Sequence, residues 1–169
     1  IDETSLLAYN YSLKNVFYFN RSKQKFSLAF TFLENKSKNN FSFGSTRSSS
    51  LIKKINFVHK IGDLYLVEVI GNTQKKTNWS ENFHDKNYNI SDYSINPKLT
   101  YYSGENNRIN FIYKLSNIKN SIGNQESLKQ QNFGVSLFLN QKEKTGFISE
   151  FNYFKTEFNG DINSVISYI

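Results

Sequence analysis

The 169-residue chain contains neither Cys nor Met, which excludes disulfides and thiolate or thioether metal sites. Its formal charge of +7 raises nucleic acid as a partner, but Lys and Arg are scattered along the sequence, with short pairs only, such as Lys53 with Lys54 and Lys75 with Lys76. No basic stripe able to follow a phosphate backbone is legible, so no nucleic acid is expected as a partner. Phe (16) and Tyr (11) hold much of the apolar content, and flat side chains of this kind favour strands.

Period-two alternation recurs from end to end, and no window carries the 3.6-residue apolar period of a helix. Strands are predicted at 5–19, 26–35, 50–60, 63–74, 92–102, 108–117, 131–140 and 146–158, with a ninth starting near 164. In the second, Phe26, Leu28, Phe30 and Phe32 alternate with Ser27, Ala29, Thr31 and Leu33. The fourth departs from the pattern, because Leu64, Tyr65, Leu66, Val67, Val69 and Ile70 fill both faces. In the sixth, Ile109, Phe111, Tyr113 and Leu115 alternate with Asn110, Ile112, Lys114 and Ser116. In the seventh, Phe133, Val135, Leu137 and Leu139 alternate with Asn132, Gly134, Ser136 and Phe138.

Eight Gly and one Pro are few for this many reversals, so Asn, Ser, Lys and Asp must build most turns. The connections read alternately short and long: short at 20–25, 61–62, 103–107 and 141–145, long and polar at 34–49, 72–91 and 117–130. Tight turns on one side and long loops on the other are the asymmetry of outer-membrane barrels, and strands of about ten residues match a tilted crossing. Tyr9, Tyr18, Phe19, Tyr101, Tyr102, Tyr153 and Phe154, near strand ends, are candidates for interfacial girdles.

Residues of the types that carry chemistry are few. His84 stands beside Asp85, but a metal needs three or four convergent ligands and no spacing supplies them. His59 reads as a polar residue at a strand end. Glu150 and Glu157 have opposite parity and cannot share a face of one regular strand, so with Glu143 they make no acid/base pair. Asp161 and Asn163 lack the rest of a calcium loop. The best ligand-contact candidates are Trp79, Phe83 and Tyr88, aromatics set among Asn, Lys and Asp in the segment 72–91. The competing reading is that they fold that segment back onto the sheet.

The run Ile95-Asn96-Pro97-Lys98-Leu99-Thr100-Tyr101, the segment Gly123-Asn124-Gln125-Glu126 and the run Phe158-Asn159-Gly160-Asp161-Ile162-Asn163-Ser164 resemble the C-terminal region of large outer-membrane β-barrel proteins of Bacteroidota. The resemblance covers about 85–169 well and the first half in general style. It implies an outer-membrane location and a further one or two hairpins ending in an aromatic residue, and it implies no particular activity. With Ile1 at the start and an apolar run at 165–169, a segment truncated at both ends is expected.

The expected fold is therefore all-β: an antiparallel up-and-down meander of eight to nine strands, part of a transmembrane β-barrel. The expected role is structural or transport-associated, with long loops extracellular, membrane lipid and other outer-membrane or surface proteins as partners, and no cofactor, metal or catalysis. The alternative is a soluble extracellular β-sheet module for adhesion or glycan binding, with Trp79 in its binding loop.

Overall fold

The computed structural model describes residues 7–20, 25–42, 44–104, 106–122, 126–141, 145–160 and 166. The alternating pattern produces eight strands: β1 (Leu7–Phe19), β2 (Phe26–Phe41), β3 (Gly44–Ile61), β4 (Tyr65–Ser80), β5 (Tyr88–Tyr102), β6 (Arg108–Asn120), β7 (Glu126–Gln141) and β8 (Thr145–Asn159). They form one sheet in the order β1 to β8, each strand antiparallel to the next. This is the expected all-β meander. The ninth strand expected from 164 falls outside the described residues except at Ile166, whose N–H donates to the Glu126 carboxylate at 3.2 Å.

At one end of the sheet the predicted boundaries hold closely. There the strands are joined through 20–25, 62–64, 103–107 and 142–144. Gly62 (φ 59°) supplies the left-handed conformation its turn requires, as Gly104 (φ 83°) does in another. In the 62–64 turn, Lys60 Nζ reaches Asp63 at 3.0 Å. That hydrogen bond, reinforced by the ammonium charge, lowers the Asp63 carboxyl below the usual range.

At the other end the expectation of long loops is corrected. The segment 34–49 is a continuation of β2 and β3, whose pairing runs to Phe41 opposite Gly44. Of 72–91 only 81–87 is a connection, and of 117–130 only 121–125. Polar side chains hold this extension together across the strands. Ser12 Oγ donates to Asn35 at 2.7 Å, and the Ser37 and Ser48 hydroxyls lie 3.0 Å apart. Those of Ser49 and Thr77 lie 2.7 Å apart. Hydropathy marks where the surroundings of a strand change, whereas the backbone ladder ends only where its hydrogen bonds do. The strands thus run 13 to 18 residues, longer than the roughly 9–11 of a tilted bilayer crossing.

The register sorts every strand residue onto one of two faces. One row across the sheet is Phe19, Leu28, Phe57, Val69 and Pro97; another is Leu99, Phe111, Val135 and Phe151. The opposite face has rows such as Asn72, Ser94, Ser116, Gln130 and Thr156. The β5–β6 ladder skips Asn96 and Pro97, as expected of a residue without an N–H. β4 keeps the expected exception, since Leu66 and Ile70 flank Glu68 on the polar face.

The short connection at 42–43 has a consequence for proteolysis. Trypsin acting on the refolded protein should cut at Lys86, in the exposed 81–87 connection, well before Lys36, Lys38 or Arg47, which lie in paired strands. Mass spectrometry of the early fragments checks this, and first cuts within 34–49 would restore the loop reading.

Candidate functional site

The sheet is inverted relative to one packed around an apolar core. Most of the buried side chains belong to the polar face: Ser80, Ile90, Thr100, Asn110, Ser116, Asn120 and Glu126. The apolar face is the exposed one, with Phe17 at 66%, Phe111 at 41% and Phe151 at 61%. Exposed large apolar residues on the polar face (Tyr18, Ile148, Phe154 and Phe158) belong to the edge strands β1 and β8, and Leu64, Phe83 and Ile122 lie in connections. Tyr18, Tyr102 and Phe154, expected in the girdles, point to the polar face, while Tyr9, Phe19, Tyr101 and Tyr153 point to the apolar one.

On the polar face, side chains bond to one another across strands. Thr100 Oγ1 donates to Asn110 Oδ1 at 2.9 Å, and Asn110 Nδ2 donates to Ser136 Oγ at 2.9 Å. Ser136 therefore lies opposite in face to Val135 and Leu137, as its parity requires. Lys98 pairs with Glu68 at 3.0 Å. One side-chain oxygen each of Asp92, Asn96 and Asn132 on this face has no protein partner. Shielded acceptors of this kind call for water partners.

The apolar face is zoned along the strands. Near the short-turn end lies the apolar band; Tyr65 and Tyr101 meet across β4 and β5 at 5.2 Å, and Phe26 meets Phe57 at 5.4 Å. Farther along come Lys36 and Lys38 on β2, Arg47 and Lys53 on β3, Lys75 on β4, Lys119 on β6, Lys129 on β7 and Lys155 on β8. Glu34 and Glu157 share this zone, each ion-paired within its own strand, to Lys36 at 2.7 Å and to Lys155 at 2.6 Å. The sequence reading missed this belt, because residues far apart in sequence are aligned only by the register.

The three aromatics singled out as ligand contacts are not brought together. Trp79 stands on the apolar face near the end of β4, with the Arg47 guanidinium 5.5 Å from its ring centre. Phe83 lies in the 81–87 connection, beneath Lys86 Nζ at 5.0 Å. Tyr88 opens β5 on the polar face, opposite Asn78. The connection itself is tied down: Ser80 N–H donates to Asn87 Oδ1 at 2.6 Å, Asn78 Nδ2 to the Lys86 carbonyl at 2.8 Å, and Ser45 N–H to Glu81 at 3.0 Å. His84 and Asp85 fall in its short 3-10 turn, His84–Lys86. Glu150 and Glu157 do lie on opposite faces. Glu143, Asp161 and Asn163 lie outside the described residues. Among the described residues no group of three or more His, Cys, Asp or Glu converges as for a metal.

No family model and no curated protein matches the chain. Among solved structures it is similar to a loop L8 deletion mutant of OmpT, an outer membrane protein of Vibrio cholerae. The identity is 13% and the TM-score 0.46, over 90% of this chain and 57% of that one. The chain thus spans little more than half of that protein's length.

The polar face generates a stability contrast. Asn110→Leu strands the Thr100 and Ser136 hydroxyls and should cost about 1–3 kcal/mol. Asn132→Leu removes an amide oxygen that has no protein partner and should change stability by less than about 1 kcal/mol. Urea unfolding midpoints in detergent micelles measure both, and equal losses would contradict the hydrogen-bond assignment.

Proposed function

We propose that this sheet is part of the wall of an outer-membrane β-barrel, with its apolar face on lipid and its polar face on a water-filled lumen. The observation that supports this reading is the inversion itself: polar side chains are shielded and bonded to one another, while rows of Phe, Leu, Ile, Val and Tyr are bare. In water such a surface would be an aggregation template, and hydrocarbon is the solvent it suits. The strands place a band of four or so outward apolar residues at one depth, then continue beyond it as polar hairpins. We place that polar, extended end on the outer side, where the 81–87 and 121–125 connections face the environment.

The proposed role is structural or transport-associated, without catalysis, and membrane lipid is the partner the apolar face is made for. Closing the cylinder requires β1 and β8 to pair further, with one another or with additional strands, because lipid cannot satisfy an open ladder. The positively and negatively charged residues of the polar face, including Lys54, Lys76, Lys98, Lys114, Glu68 and Asp92, would then line the path of a polar solute.

Two adjacent residues of β2 test the assignment. Phe30 lies in the middle of the apolar band and Thr31 on the polar face. Phe30→Arg should lose about 2–4 kcal/mol of folding stability in vesicles, as an Arg does near the bilayer midplane, while Thr31→Arg should lose much less. Refolding without detergent should in addition give aggregates by size-exclusion chromatography. A monodisperse soluble monomer, or equal penalties at the two positions, would favour the soluble adhesion module instead.

A further inference from the structure

The cationic belt contains one place where charges of one sign oppose each other. On the apolar face Tyr9, Lys38, Arg47 and Trp79 stand directly opposite one another on β1, β2, β3 and β4. Like charges facing each other across an antiparallel pair are destabilising, and Lys38 and Arg47 have no acidic partner among the described residues. Beside this row, Tyr11 and Lys36 line the same open groove, of about 660 Å³. Lys36 is engaged by Glu34, and Arg47 faces the Trp79 ring rather than a carboxylate, so the positive charge of the groove without a counter-charge is that of Lys38 and Arg47.

What neutralises these charges is suggested by where they lie. The groove opens on the face that carries the apolar band, a few residues farther along the same strands: Phe32 and Phe30 precede Lys36 and Lys38, and Ile55 and Phe57 follow Arg47. An anion at this height that also carries acyl chains places its head between Tyr9 and Trp79 and its tails along the band. Tyr and Trp, each with an apolar body and a polar tip, are the side chains suited to that boundary. We infer that the row Tyr9–Lys38–Arg47–Trp79 is a docking site for the phosphate of an anionic lipid headgroup, held by Lys38 and Arg47. The inference rests on the membrane reading of the apolar face and adds to it a lipid class and two recognition residues. A planar guanidinium forks onto two phosphate oxygens, and the ammonium supplies the second charge.

The single tryptophan makes the site observable. The full chain is reconstituted in vesicles of phosphatidylglycerol and phosphatidylcholine, in which one or the other lipid carries brominated acyl chains that quench Trp79. Anionic lipid should quench more than zwitterionic lipid at equal mole fraction, with a preference of about threefold or more for two cations near the surface. In Lys38→Gln/Arg47→Gln the preference should fall to about one, while stability in pure phosphatidylcholine is kept or raised, because the facing like charges are gone. Equal quenching by both lipids, or a preference that survives the double substitution, would overturn the headgroup site and leave the barrel reading standing. Inorganic phosphate abolishing the preference at constant ionic strength would also overturn it, by showing a site for the free anion. Absence of quenching by either lipid would overturn the membrane reading and the headgroup site together.

Discussion

A strand in hydrocarbon must find partners for every backbone N–H and C=O within the protein. On the proposed membrane placement, the rest of this structure follows from that requirement. Each of the described strands β2 to β7 is paired along nearly its whole length on both sides, and the connections between them are short. Among the described residues only β1 and β8 are paired on one side, and they carry apolar side chains on both faces: Tyr18 beside Phe17 and Phe19, Phe154 beside Tyr153. In the proposed membrane wall, edges of that composition require further pairing.

The same constraint explains the chemistry of the other face. A sheet whose outer surface is apolar has its polar side chains turned inward, where they crowd. There they form cross-strand hydrogen bonds (Thr100 to Asn110 to Ser136) and an ion pair (Lys98 to Glu68), and they leave acceptors such as Asn96 and Asn132 for water. The polar face thus combines cross-strand bonds with acceptors left for water, which suits the lumen lining proposed for it. Its small residues, Ser, Thr and Asn, reach across one strand spacing and no farther, so the network runs along rows rather than along strands.

Face parity was legible in the sequence because it depends on period two alone, and a strand cannot place neighbouring side chains on one face. Phe26, Leu28, Phe30 and Phe32 read as one face, and they are. The short-turn ends were legible because apolar strand meets polar turn there. The far ends were not, because Asn35 to Asn40 and Ser45 to Ser50 lose the apolar signal while the ladder continues. Trp79, Phe83 and Tyr88 were grouped by nearness in sequence, and the true end of β4 at Ser80 separates them into an apolar face, a connection and a polar face. The cationic belt was invisible for the converse reason: Lys38 and Arg47 are nine positions apart in sequence and adjacent only through register.

Because the chain contains no Cys, single nitroxide labels can be introduced one at a time along residues 109–116 of β6. Electron paramagnetic resonance in lipid vesicles then measures the collision of each label with oxygen, which concentrates in hydrocarbon, and with a charged nickel complex, which stays in water. The account predicts two period-two profiles out of phase. Oxygen access should peak at 109, 111, 113 and 115, on the apolar face, and nickel access at 110, 112, 114 and 116, on the polar face. Profiles that rise and fall together, or nickel access that is high at every position, would contradict the claim that the apolar face of this sheet meets lipid.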